Sequence, residues 1–111
     1  MTHHLDTRLL HIGTGEFDPV TGTAPVALPS IRTSPVRFSN LQALERAQER
    51  KASGERAVTY GRSGMDTHRA LEDVFIQLEG GHRCVLTPSG MAAIHLAFMS
   101  VLQTGDHVLV A

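Results

Sequence analysis

Two short stretches of this chain hold residue types that can bind an anion. In Thr59-Tyr60-Gly61-Arg62-Ser63-Gly64 the only tyrosine stands two residues from an arginine, with a glycine between them. If the segment is extended, both side chains point to one face. An arginine there can grip a phosphate with a forked pair of hydrogen bonds, and a phenol can add another. An exposed arginine beside a packed tyrosine accounts for the same spacing equally well. The second stretch, Thr87-Pro88-Ser89-Gly90-Met91, joins an apolar run to the start of an apolar helical pattern. The first amides of a helix lack internal partners and lie at the positive end of its dipole. With no side chain at Gly90, an anion can come close to them. A structural turn with Ser89 as a plain N-cap explains these residues too, and such caps are common.

Other reactive residue types assemble less well. Seven histidines invite a metal reading, but His3-His4 sits at the chain end, His82-x-Cys84 is a lone pair, and there is no His-Glu-x-x-His. No metal site is expected, and His95, on an apolar helix, is expected to be a hydrogen-bonded core residue. The single cysteine, Cys84, lies in an apolar run and is expected to be a buried, inert thiol. No serine has histidine and acid company of the kind a nucleophile needs. The only lysine, Lys51, falls in a polar helix far ahead of the second anion-binding stretch.

The elements that must position these residues can be read from pattern and punctuation. Residues 1–38 hold four of the five prolines (Pro19, Pro25, Pro29, Pro35), which excludes long helices. Leu9, Leu10, Ile12, Val20, Val26, Leu28, Ile31 and Val36 run through this segment, so it reads as an arm packed on something else, such as a partner subunit. A helix is predicted over Leu41 to Ala52, capped by Ser39 or Asn40 and ended by Gly54. A second follows Asp66 or Thr67 as N-cap, carries Leu71, Val74, Phe75 and Leu78 on one face, and stops at Gly80-Gly81. Arg83 to Thr87 and His107 to Ala111 read as short buried strands flanking a helix from Met91 to Leu102. Together these make a right-handed β-α-β unit with parallel strands. A lone parallel pair is not a finished sheet, so the chain is expected to be a piece of a larger α/β domain.

Ten basic against eleven acidic side chains leave a net charge of −1, which gives no field to draw the chain onto nucleic acid or an anionic membrane. The basic stretch Arg46 to Lys51 is interleaved with Glu49 and reads as a solvated helix face. No run approaches the length of a membrane span, and the start lacks the pattern of a secretory signal. With a single cysteine, no intrachain disulfide can form, and a cytoplasmic protein is expected.

In order and spacing, the motifs resemble those of the Cys/Met-metabolism (trans-sulfuration) family of pyridoxal-phosphate (PLP) enzymes. The resemblance runs through Leu5-Asp6-Thr7-Arg8, His11-Ile12-Gly13, Thr33-Ser34-Pro35-Val36-Arg37-Phe38 and Tyr60-Gly61-Arg62-Ser63-Gly64. It continues in Leu71-Glu72, Leu78-Glu79-Gly80-Gly81, Ser89-Gly90-Met91-Ala92-Ala93 and Gly105-Asp106-His107. Met65-Asp66-Thr67-His68 stands where many relatives have Asn-Pro-Thr. That feature, with the charged helix before Gly54, looks most like the bacterial cystathionine β-lyases. Cystathionine γ-synthase, γ-lyase and methionine γ-lyase activities stay open.

The resemblance implies an α/β fold. Residues 1–58 would be an arm and helix making intersubunit contacts, and residues 59–111 the start, with an incomplete sheet, of the large PLP-binding domain of a fold-type I (aspartate aminotransferase-like) enzyme. It implies PLP as cofactor, its phosphate held by the amides of Gly90 and Met91, with Tyr60 and Arg62 reaching it from the neighbouring subunit of a dimer or homotetramer. Tyr60 would also lie near the substrate amine. The implied reaction is β-elimination on a sulfur-containing amino acid, turning cystathionine into homocysteine, pyruvate and ammonia. The cofactor-holding lysine, the aspartate on the ring nitrogen and the tyrosine stacked on the ring would lie beyond Ala111. No catalytic residue is therefore expected within the chain, and by itself it is expected to be inactive. Two further readings stand beside this one: a non-catalytic protein that pairs with intact subunits, and a small phosphate-binding module unrelated to PLP.

Overall fold

The computed structural model describes residues 3–110. Along them run four helices: α1 (Leu5–Leu10), α2 (Leu41–Ala52), α3 (Asp66–Glu79) and α4 (Gly90–Val101), with a 3-10 turn at Gly61–Ser63 between α2 and α3.

Helix α2 has the predicted bounds, and each end has a chemical cause. The Asn40 side chain accepts from the Ala43 amide at 2.8 Å, satisfying one of the orphan donors of the first turn. At the other end, Gly54 takes a left-handed φ of 85°. The Glu55 and Gly54 amides turn back onto the carbonyls of Arg50 and Lys51, which closes a Schellman motif. Arg50 Nε donates to Glu55 Oε2 at 2.8 Å. That bond is the main cause holding the Glu55 carboxyl below its ordinary pKa. Only Ala43, Leu44 and Ala47 are half-buried, so the charged face is solvated, as the interleaving of signs implies.

Helix α3 begins one to two residues earlier than a cap at Asp66 or Thr67 would give. Met65 is the N-cap, and its amide donates to Nδ1 of His68 at 3.2 Å. Thr67, a predicted cap, serves the arm instead: its hydroxyl accepts from the Ile31 amide at 2.9 Å and donates to the Pro29 carbonyl at 3.2 Å. The arm thus crosses the first turns of α3, and the short helix α1 within it packs on α3 as well. Residues 3–38 are otherwise irregular, as the prolines require. Arg56 pairs with both Glu72 and Asp73 and ties the segment after α2 to the flank of α3.

The predicted strands are not formed. Neither 83–87 nor the described part of 107–111 carries a ladder, and Ala111 lies outside the described residues. The runs are apolar enough for strands, but a parallel pair needs neighbours and covered faces, and the described residues offer no third strand. Helix α4 starts at the predicted turn, with Ser89 Oγ accepting from the Ala92 amide at 3.2 Å, yet no other helix of the described residues packs on it. Met91 is 74% exposed and Met99 65%. His95 is exposed rather than in a core, and Cys84 is half-buried rather than buried, since among the described residues no helix packs against α4.

Among the described residues only Ala57 and Met65 are buried apolar side chains. The accessible surface of 9421 Å² compares with about 6000 Å² for a compact protein of this mass. The radius of gyration, 17.7 Å, compares with about 13 Å for a compact domain of this length. The helices are set by local signals and by the arm, not by a core of their own.

Candidate functional site

Tyr60 has extended backbone, and the 3-10 turn begins directly after it. The segment is therefore not extended throughout, as side-by-side placement on a strand would need. The turn brings the pair together differently: the Arg62 guanidinium lies over the Tyr60 ring, 5.3 Å from its centroid, within reach of a cation–π attraction. Tyr60 is 43% exposed and Arg62 is exposed, so both polar ends are free for a ligand. The turn's own bonds run from Ser63 N to Tyr60 O at 2.9 Å and from Gly64 N to Gly61 O at 3.0 Å.

The arm fixes where this turn sits. Gly61 N donates to Ser34 O at 2.7 Å. A Cβ on Gly61 would lie 2.7 Å from Ser34 Cα and 2.9 Å from Thr33 O, closer than real side chains come to backbone. Glycine is required here by close approach, not by a left-handed φ.

The second pair heads α4. Ser89 is its N-cap, and the Thr87 hydroxyl donates to the Ser89 carbonyl at 3.0 Å, closing the turn before it. The amides of Gly90 and Met91 have no acceptor among the described residues. A Cβ on Gly90 would meet nothing within 4 Å. Two donors at the positive end of a twelve-residue helix are thus without a partner among the described residues, a donor set that fits a phosphate.

The structure does not bring all four residues to one place. A cavity of about 450 Å³ is lined by Arg62 together with His68, Glu72, Thr87 and Pro88, but not by Gly90 or Met91. Within one chain, Arg62 and the turn before α4 line a common cavity, and the residues of the open amides are not part of that lining. Lys51, which its sequence position sets in a polar helix, reaches the first anion-binding stretch instead of trailing into water: its ammonium donates to Ser63 Oγ at 2.8 Å. The only signal of that link was that it is the sole lysine. Among the described residues, no group of three or more histidine, cysteine, aspartate or glutamate side chains is placed to hold a metal ion. No helix of the described residues is long and apolar enough to cross a membrane.

A family model for Cys/Met metabolism PLP-dependent enzymes matches residues 6–111. The chain is 60% identical to a cystathionine beta-lyase of Bordetella avium, over 97% of this chain and 27% of the relative. It is 35% identical to cystathionine beta-lyase of Escherichia coli, over 95% of this chain and 25% of the relative. An L-methionine gamma-lyase of Fusobacterium nucleatum is 36% identical over the same shares. The chain spans about a quarter of the length of these curated relatives.

Proposed function

This chain belongs to the Cys/Met metabolism family of PLP-dependent enzymes, and on that premise we propose that it is the N-terminal segment of a cystathionine β-lyase. The observation that carries this reading is the run of similarity over residues 6–111, within which both anion-binding features fall in order. The 60% identity to a relative named cystathionine beta-lyase favours that activity within the family.

PLP, when bound, supplies the electron sink that takes up charge as the α-proton of an amino acid leaves. The part of this chain is to hold the phosphate end. The Gly90 and Met91 amides donate to phosphate oxygens at the head of α4, with the helix dipole adding to the attraction. Arg62 grips the same group through its forked donors, and the Tyr60 hydroxyl adds a hydrogen bond. The Tyr60 ring beneath the guanidinium limits its swing, so less rotamer entropy is lost on binding.

In one chain Arg62 does not share a cavity with Gly90 and Met91. This supports the reading that the two halves of the seat meet across a boundary between subunits, with the Tyr60–Arg62 turn serving a neighbour in a homo-oligomer. Residues 1–58 would then be an arm and helix for intersubunit contact, and residues 59–111 the start of a fold-type I PLP-binding domain. The exposed apolar α4 and the segments at 83–87 and 107–110 suit elements waiting for the rest of a sheet. The lack of a membrane-crossing helix among the described residues and the near-neutral charge suit a cytoplasmic enzyme.

The reaction proposed is β-elimination: cystathionine and water give homocysteine, pyruvate and ammonia. The relative named L-methionine gamma-lyase favours γ-elimination as the competing reading. The keto acid separates them. Incubating the full-length protein that carries this segment with cystathionine should release pyruvate; 2-oxobutanoate with cysteine would show γ-elimination instead. No keto acid from cystathionine, with methionine consumed, would overturn the assignment.

A further inference from the structure

Lys51 stands in the last turn of α2, and its ammonium reaches both flanks of the turn that carries Tyr60 and Arg62. Nζ donates to Ser63 Oγ at 2.8 Å and lies 3.4 Å from Thr59 Oγ1. Thr59 directly precedes Tyr60, and Ser63 directly follows Arg62. One side chain thus spans the five-residue stretch from outside, bonding to the residue before the phenol and to the residue after the guanidinium.

That stretch needs such support. A single 3-10 turn has poor hydrogen-bond geometry and does not hold its shape alone. The arm pins it at Gly61 through the Ser34 carbonyl, which holds the middle of the five-residue stretch but bonds to neither Thr59 nor Ser63. The root of the lysine is itself fixed. The Schellman closure puts the Gly54 amide on the Lys51 carbonyl at 3.1 Å and the Glu55 amide on the Arg50 carbonyl at 2.9 Å. The Arg50–Glu55 pair braces the same corner from outside. A lysine on an exposed helix face usually trails into water, whereas here its three donors have two acceptors on one turn.

We infer that Lys51 is a positioning residue for the cofactor phosphate: it holds Thr59 and Ser63 so that Tyr60 and Arg62 are aimed before the phosphate arrives. This inference rests on the reading of Tyr60 and Arg62 as phosphate ligands. Pre-aiming strengthens binding by lowering the ordering cost, and the benefit goes only to a ligand that carries the phosphate.

The test uses apo-protein of the full-length enzyme and measures equilibrium dissociation constants for pyridoxal 5′-phosphate and for pyridoxal, which lacks the phosphate. Lys51→Met is expected to weaken pyridoxal phosphate binding roughly fivefold, the size of one modest hydrogen bond, and to leave pyridoxal binding unchanged. Ser63→Ala should give a loss of similar size, and the double variant should be no weaker than either single one, because both remove one link. Lys51→Arg, which keeps a cation of similar reach, should recover most of the affinity. Arg62→Ala is the control. If it weakens pyridoxal phosphate binding while Lys51→Met and Ser63→Ala do not, the inference fails alone. If Arg62→Ala has no effect, the phosphate reading itself fails. Equal losses for pyridoxal phosphate and pyridoxal in both Lys51→Met and Ser63→Ala would mean a general structural role and would also overturn the inference.

Discussion

Replacing Gly61 with alanine should loosen the phosphate turn from the arm. The new methyl would sit 2.7 Å from Ser34 Cα and 2.9 Å from Thr33 O, both backbone atoms that cannot swing aside. The strands of chain must part by roughly 0.7 Å or more to restore an ordinary carbon–carbon separation. Overpacking of this kind costs about 1–3 kcal/mol. The parting also lengthens the Gly61 N to Ser34 O bond, now 2.7 Å, worth about 1 kcal/mol net. At the lower end of these ranges the two together cost about 2 kcal/mol, which corresponds to a shift of at least roughly thirtyfold in a local opening equilibrium. Hydrogen exchange on the full-length protein reads it directly: the Ser63 and Gly64 amides, which bond within the turn, should exchange at least about thirtyfold faster in the variant. Amides in the middle of α2 should be unchanged. Exchange at Ser63 and Gly64 within twofold of the parent would refute the claim that the arm fixes this turn.

Gly90→Ala should act with opposite signs on two measurements. A methyl there meets nothing within 4 Å, so the start of α4 gains up to about 0.5 kcal/mol from alanine's helix preference, while phosphate affinity of the full-length apo-protein falls; unchanged binding of inorganic phosphate or PLP would exclude close approach at Gly90. Arg56→Ala removes the common partner of Glu72 and Asp73 and should destabilise the α2–α3 connection by about 1 kcal/mol, since the pairs are only partly buried; adding Glu72→Ala to it should cost less than the same change in the parent, and simple additivity would count against the pairing. Asp18 accepts hydrogen bonds from the Thr21 amide, the Val20 amide and the Thr21 hydroxyl, which hold its carboxyl below the ordinary aspartate pKa, the Thr21 amide contributing most. Its folded pKa is depressed, so the turn's stabilisation is present above the unfolded value and is lost as pH falls through the folded one. A side-chain NMR titration of Asp18 should have a midpoint below that of an unstructured aspartate, and a midpoint at or above it would refute the turn.

Local chemistry was the part of the fold open to reading from the sequence. Asn40 and Gly54 bound α2 because capping depends on residues next to the helix, and Ser89 caps α4 for the same reason. The start of α3 was misplaced because Thr67 is engaged by Pro29 and Ile31, some forty residues back along the chain. No local pattern reports such a bond. The runs at 83–87 and 107–110 have strand composition, but a ladder depends on neighbours that composition does not name. Within the candidate site, the Tyr60–Arg62 partnership was legible from spacing, whereas its form was not. The pair meets over a 3-10 turn by stacking, and the Lys51 link to Ser63 crosses an intervening loop. The start of α4 at the Ser89-Gly90 turn was legible because the cap is a neighbouring residue; what the first amides of that helix bind is not written in a turn that an ordinary N-cap also explains.

With Ala57 and Met65 as the only buried apolar side chains among the described residues and an accessible surface of 9421 Å², less hydrocarbon is left for water to reach on unfolding than in a compact domain of this length. A compact domain of this length takes up about 1.5 kcal/mol/K of extra heat capacity on unfolding, because water orders around newly exposed apolar surface. Warmed by itself, this segment should show a smaller step and a broader melt than a compact domain of the same length. Its share of a cooperative transition arises only where α4 and the arm lie against other surfaces, so a calorimeter would register the segment through the company it keeps.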